Sequence, residues 1–439
     1  MKSDNFKENS ITLWGAVGLG TGVMFGAAIF AVVGQVAEIA GKYFPFSYFL
    51  GSLVAAFSSY GYIKMSQKYP SAGGIGMFFV KIYGKTTITA SSSLLMAISM
   101  VIAQSLVART FGTYTMQIFS ISPDHWTVTV LAVGLLIFTY IINRSENDFI
   151  QTFTSTISLI KIIGIVIFSF AALKASQFST AGLNFVEISN TSDINSFSFI
   201  ASVALSLLSF KGFTTITNNG DEIVEPKKNI GRAIIISISL LTVIYVIMSW
   251  AVSSSLPINE IVNAKDYSLA EAARPTLGRY GVWFTIGIAI LATVTVAIGG
   301  VFAVSRMTTM LTDMNLIPHS HFGMKGTVHR HMLVYIIVIG ITLTVVFDIS
   351  RIASIGAIFY IVMDIIFQYG ILKNIKKEIE AKAPIVIASI IFDSLVLAAF
   401  IWYKLQFDLF IVILSLVSII LIFLGEKIFL EKFSELDEN

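Results

Sequence analysis

What most constrains this chain is the length of its uncharged runs. Several segments continue for 18 or more residues almost without an ionisable side chain, the length of helix needed to cross about 30 Å of hydrocarbon. The fold class that follows is an all-α polytopic membrane protein. Composition agrees: only 13% of the residues are charged, where a soluble domain averages about 25%, and mean hydropathy is +0.82.

The pattern predicts twelve helical spans, at residues 12–39, 46–66, 87–118, 126–143, 149–173, 197–218, 231–255, 279–309, 333–348, 352–373, 384–402 and 408–425. No connection is long enough for a soluble domain. The opening MKSDNFKENS lacks the apolar core and small-residue cleavage site of a signal peptide, so the first span is expected to stay. With the N-terminus in the cytoplasm, 19 Lys/Arg fall on cytoplasmic segments and 7 outside, while Arg109, Lys161 and Lys211 lie within spans. That bias satisfies the positive-inside rule. Both termini are therefore expected in the cytoplasm of a cell with this chain in its plasma membrane.

Other function classes lose support in the same pass. The sequence contains no cysteine, which excludes disulfides and thiolate metal sites. A net charge of +3, scattered over loops, gives no footprint for nucleic acid. No phosphate-cradling G-x-x-x-x-G-K-[ST] loop supports an ATP-driven pump, and no protease motif is convincing, Asp364 and Asp393 being weak alone. His319, His321, His329 and His331 form HSH and HRH after span 8. Without cysteines or organised carboxylates they read as a polar loop rather than a metal site. No cofactor is implied.

Two spans carry irregular sequence at one depth. Five of the twelve residues from Gly15 to Gly26 are glycine, each costing roughly 1 kcal/mol relative to alanine in a water-exposed helix. Span 6 carries SFKGF, Ser209 to Phe213, and then NNGDEIVEP. Helical rise puts both near mid-membrane, and an offset of five spans inverts the topology. Paired irregular helices in two inverted halves point to a transporter's binding site; close packing is the competing account of the glycines.

Residues 14–41, WGAVGLGTGVMFGAAIFAVVGQVAEIAG, resemble the first span of amino acid/polyamine/organocation permeases. KYPSAGGIGMFFVKIYG (68–84) is similar to that family's PSAGG element and following amphipathic helix, and FKGFTTITNNGDEIVEPKKNIGRAI (210–234) to its signature after span 6. ISLIKIIGIVIF in span 5 resembles the lysine-bearing helix of the proton-coupled ApcT-type branch. The likeness runs through about 360 residues, in order.

The resemblance implies a LeuT-like fold. Residues 12–173 and 197–373 would be inverted five-helix repeats, 384–425 an appended pair of helices, and 1–11 and 426–439 cytoplasmic tails. Spans 1 and 6 would be broken at mid-membrane, with the first break at Gly26-Ala27-Ala28. A substrate carboxylate would sit on the backbone of Phe25, Gly26, Ala27 and Ala28, because free N–H groups and the helix dipole favour an anion. Its ammonium would face carbonyls of Leu208, Ser209, Phe210 and Lys211, with Gly212 supplying the bend. Ala28 stands where the family has a second glycine, Leu208 where it often has an aromatic lid, and Gly231 where it has proline.

Ionisable groups at mid-bilayer are functional candidates by default, because their burial is costly. Lys161 falls where sodium-coupled relatives hold a cation between spans 1 and 8. It is the candidate proton-coupling group, a static strut from span 5 to span 1 being the alternative. Lys211 would meet an acidic substrate side chain, an aqueous vestibule or Asp364 in span 10. Arg109 would snorkel to the outer interface. Asp221 and Glu222 are candidates for an inner gate, with Lys227, Lys228 and Arg232 nearby, or are solvated helix caps. Thr293 and Thr295 offer hydroxyls to a cation, although a lysine in the sodium position argues against sodium. The function predicted is proton-coupled secondary transport of an amino acid or related amine. Obligatory exchange, sodium coupling and a non-transporting amino acid sensor are the alternatives.

Overall fold

The computed structural model describes residues 10–70, 74–144, 148–179, 196–317 and 327–437. His319, His321 and residues 71–73 of the PSAGG element lie outside them, as do residues 1–9 and 438–439 of the two tails. No strand occurs among the described residues; one isolated parallel bridge joins Ile11 to Ile223.

Helix occupies each of the twelve predicted segments. Span 1 is α1 (Leu13–Met24) and α2 (Ala27–Ala40), followed by α3 (Phe44–Lys68), a short amphipathic α4 (Gly74–Tyr83), α5 (Thr87–Gln117), α6 (Trp126–Asn143) and α7 (Asp148–Ala175). Span 6 is α8 (Ser196–Leu208), a 3-10 turn at Lys211–Phe213 and α9 (Thr214–Asn218). Then come α10 (Pro226–Ser255), α11 (Ile258–Asn263), α12 (Ser268–Asp313), α13 (Val328–Val346), α14 (Ile349–Gly370), α15 (Ala383–Phe407) and α16 (Leu409–Asp437). Among the described residues nine helices are long and apolar enough to cross a membrane, or ten when one bent pair counts as a span.

Two differences from the expected boundaries have local causes. Helix α12 begins at Ser268 rather than near 279 and kinks at Gly278, whose φ of +62° a side chain would strain. Helix α16 runs on to Asp437 through EKIFLEKFSELD.

The two irregular spans lie at the centre. Helix α1 packs against α10, α7 and α9, and α2 against α8, α5 and α12; α3 and α15 back α8. Large apolar side chains on the outer helices remain exposed, among them Ile413, Leu416, Ile420 and Leu424 of α16, as a lipid-facing surface requires.

Candidate functional site

Span 1 breaks one residue or so earlier than the sequence predicts. Helix α1 ends at Met24, Phe25 leaves helical geometry with ψ of 46°, and Gly26 is extended at φ −100°, ψ −154°. The axis turns by 49° across the break. Ala27 and Ala28 are thus the first turn of α2, not unwound chain. Alanine is the best helix former, and the N–H groups of a first turn have no partner within the helix. The backbone to which the sequence reading assigned a carboxylate therefore lies on a helix start rather than in a loop.

Gly26 is required by space. A Cβ there would stand 2.7 Å from the Val23 carbonyl oxygen and 2.7 Å from Val296.

Span 6 is loosened rather than sharply bent. The α-helix stops at Leu208, and Ser209 and Phe210 form a turn that leads into the 3-10 residues Lys211–Phe213. The bent pair in span 1 is the one such pair among the described residues. Gly212 lies directly on the span 1 break, where an added Cβ would come within 2.6 Å of the Met24 backbone nitrogen. The two irregularities are packed backbone to backbone.

A tyrosine missed in the sequence ties them. The Tyr245 hydroxyl, from α10, donates to the Met24 carbonyl at 2.6 Å and also faces the Ser209 carbonyl at 3.3 Å. Its ring stacks on Phe25 with centroids 6.0 Å apart and meets Phe210 edge-on at 5.1 Å. Phe25 and Phe210 are fully buried by these contacts.

Beside the breaks is a cavity of about 110 Å³ whose walls include Met24, Ala28, Leu208, Lys211 and Gly212. Spans 3, 8 and 10 complete it with Ser99, Gln104, Val296, Gly300 and Gly356. Of the nine residues predicted to bind substrate, Ala28, Leu208, Lys211 and Gly212 line this cavity; Ser209 is buried behind it. Lys211 donates to Ser99 Oγ at 2.8 Å and to the Ser99 carbonyl at 3.3 Å, and its Nζ lies 5.3 Å over the Tyr360 ring. Asp364 instead accepts from Tyr62 and Ser58. The Lys211–Asp364 pair is therefore not formed.

Lys161 is fully buried. Its Nζ donates to the Gly22 carbonyl of α1 and to Thr295 Oγ1 of α12, both at 3.2 Å. One ammonium joins spans 5, 1 and 8 just before the first break. Thr293 caps the Ala289 carbonyl instead.

The remaining charges close the ends of span 1. Glu222 faces Arg306 of α12 at 3.8 Å, while Lys228, expected near it, pairs with Glu225 at 3.5 Å. The Glu222 carbonyl also accepts from the Ile11 N–H at 2.8 Å, pinning the start of the chain to the loop after α9. Asp221, next to it, is exposed. At the other end, Gln35 donates to Asp266 at 2.7 Å and Glu38 pairs with Lys265 at 2.8 Å. Arg109 donates to Thr129 at 2.6 Å. Among the described residues no group of His, Asp and Glu is arranged to hold a metal.

Fold and site together define a multi-pass membrane protein built around a small cavity where two interrupted helices meet. The chain belongs to the amino acid permease family, whose model matches residues 11–427. It is 29% identical to an uncharacterized protein of Methanocaldococcus jannaschii over 88% of this chain and 87% of that one. It is 26% identical to the inner membrane transport protein YbaT of Escherichia coli, over 91% of each. The serine/threonine exchanger SteT of Bacillus subtilis is 24% identical, over 72% of this chain and 70% of its own. The family and these relatives place the protein among transporters rather than enzymes.

Proposed function

We propose that the protein is a secondary active transporter that moves an amino acid or related amine by alternating access, with a proton as the coupling ion. The observation that carries this reading is the cavity at the junction of the breaks, where Ala28, Gly212 and Lys211 meet. Free N–H groups at the start of α2 suit the substrate carboxylate, and carbonyls at the end of α8 suit its ammonium. Spans 1–5 and 6–10 act as inverted repeats, with spans 11 and 12 appended. Both termini face the cytoplasm across the plasma membrane, following the Lys/Arg bias.

Lys161 supplies the coupling. Protonated, it holds Gly22 and Thr295 together as a bound cation would; neutral, it releases that hold. Substrate movement at the adjacent break is then linked to proton binding. Lys211 favours a substrate with a neutral or acidic side chain, since a cationic one would meet a like charge.

Obligatory exchange is the second reading, favoured by the likeness to a protein named as a serine/threonine exchanger. A radiolabelled amino acid panel in proteoliposomes separates the two. Uptake driven by an inward proton gradient into empty vesicles supports symport. Uptake that needs amino acid inside supports exchange. Binding without flux under either condition would make the protein a sensor and overturn the proposal.

A further inference from the structure

Span 10 carries a carboxyl that the cavity does not use. Asp364 of α14 is buried, with the Tyr62 hydroxyl donating to Oδ1 at 2.6 Å and the Ser58 hydroxyl donating to Oδ2. Asp393 of α15 is fully buried against it, and the two carboxyls are in hydrogen-bond contact. Ser389 Oγ lies 3.3 Å from Asp393 Oδ2, whereas Asp393 Oδ1 is buried with no donor directed at it. By helical rise Asp364 lies about 9 Å from the C-terminal end of α14 and Asp393 about 15 Å from the start of α15.

Among the described residues no cation neutralises the pair. The ionisable groups that bear on it are Tyr62 of α3 and Tyr360 of α14. Lys211 lies over the Tyr360 ring and spends its donors on Ser99. Tyr83 of α4 donates to the Ile366 carbonyl. Two carboxylates in buried contact are both ionised only at high cost, and a hydrogen bond between carboxyls needs a proton on one of them. Asp364, which accepts from two hydroxyls, is the carboxylate. Asp393, with an oxygen that no donor reaches, is the acid.

We propose that Asp364 and Asp393 form a proton-binding site, holding one proton between spans 10 and 11 independently of Lys161. The proton comes from water, forms the O–H bond at Asp393 Oδ1 and is donated in a hydrogen bond to Asp364. Its loss leaves two facing anions. The site is one ring from the span 6 irregularity: Tyr62 stacks on Phe367 with centroids 4.0 Å apart and meets Phe213 edge-on at 5.3 Å.

Infrared difference spectroscopy of the purified full-length protein, neutral against alkaline, tests this without any substrate. A protonated-carboxyl band that shifts in D2O is expected in the wild type and in Lys161→Gln. It should be absent in Asp393→Asn, whose amide keeps a donor to Asp364 and so preserves the fold. Tyr62→Phe should move the band without removing it. The wild type should also melt at lower temperature as the solution turns alkaline, and Asp393→Asn should lose that dependence. Coincident spectra for the wild type and Asp393→Asn, or a band that disappears with Lys161, would overturn the assignment. Failure of transport in vesicles would leave these spectra unaffected, so the two proposals fail separately.

Discussion

The hydroxyl of Tyr245 lies 2.6 Å from the carbonyl oxygen of Met24, the last residue of the first half of span 1. That carbonyl belongs to a helix that has just ended, so nothing further along α1 can satisfy it. In hydrocarbon an unsatisfied carbonyl is expensive. The tyrosine provides the donor and reaches toward Ser209 of span 6 as well, so one side chain of α10 holds both breaks in register.

Tyr245→Phe keeps the ring packed on Phe25 and Phe210 and removes only the hydroxyl. Leaving a buried carbonyl unpaired costs about 1–3 kcal/mol. The variant should therefore insert and fold, melt at lower temperature, and transport more slowly. Thermal unfolding and uptake measured on the same preparation check this; wild-type values in both would mean that water replaces the hydroxyl at no cost.

Gly212→Ala should do more harm to transport than its size suggests. The new methyl would press within 2.6 Å of the Met24 nitrogen and 2.8 Å of Met24 Cγ, and backbone cannot rotate away as a side chain can. Overpacking of this kind costs about 1–3 kcal/mol, here directly at the cavity beside the breaks. Gly18 is the control, because a Cβ there meets nothing within 4 Å. Gly18→Ala should keep full uptake and gain up to about 1 kcal/mol of stability, whereas Gly212→Ala should lose at least tenfold in uptake.

Much of this was legible in the sequence, and the gaps follow from what a sequence encodes locally. Long apolar runs marked twelve segments, in each of which helix lies, and a glycine cluster marked the first break to within a residue or two. Lys161 was legible because charge inside an apolar run is conspicuous. Its partners were not, since Gly22, Lys161 and Thr295 come from three distant helices. Tyr245 has no spacing signal, being a single tyrosine in an apolar helix. Asp393 looked weak until the fold set it against Asp364. Glu222 faces Arg306 of α12, far from it in the chain, while Lys228, close in the chain, pairs with Glu225.

Lys161→Gln separates coupling from structure. Glutamine can still donate to Gly22 or Thr295 but cannot change charge between pH values. Uptake should persist at a lower rate and lose its dependence on an imposed pH gradient. Undiminished proton-driven accumulation would sink the coupling role and leave Lys161 as a strut.

Lys211→Met should relax selectivity. Lys211 lines the cavity, and removal of its charge takes away the repulsion of a cationic substrate side chain. Competition by lysine and arginine against uptake should strengthen about tenfold, while neutral competitors change little. Unchanged competition by the cationic amino acids would show that the Lys211 side chain does not face bound substrate.

Asp266 gives a pH dependence whose sign can be worked out. It stands in the loop before α12, half-buried, accepting from Gln35 of α2 at 2.7 Å. Burial pushes its carboxyl up to about 6, against the pull of the neighbouring Lys265. The folded protein therefore holds this proton more tightly than the unfolded chain does, whose aspartate titrates near its ordinary value of about 3.9. By linkage, its contribution to stability is fullest in acid, falls as pH rises from about 4 through about 6, and is flat above that. The whole effect is at most about 3 kcal/mol, and partial exposure lowers it further. Asp266→Asn, which cannot titrate, should flatten the melting temperature over that window while leaving the Glu38–Lys265 pair in place. A wild-type curve already flat between those values would mean that solvent reaches the Asp266 carboxyl freely.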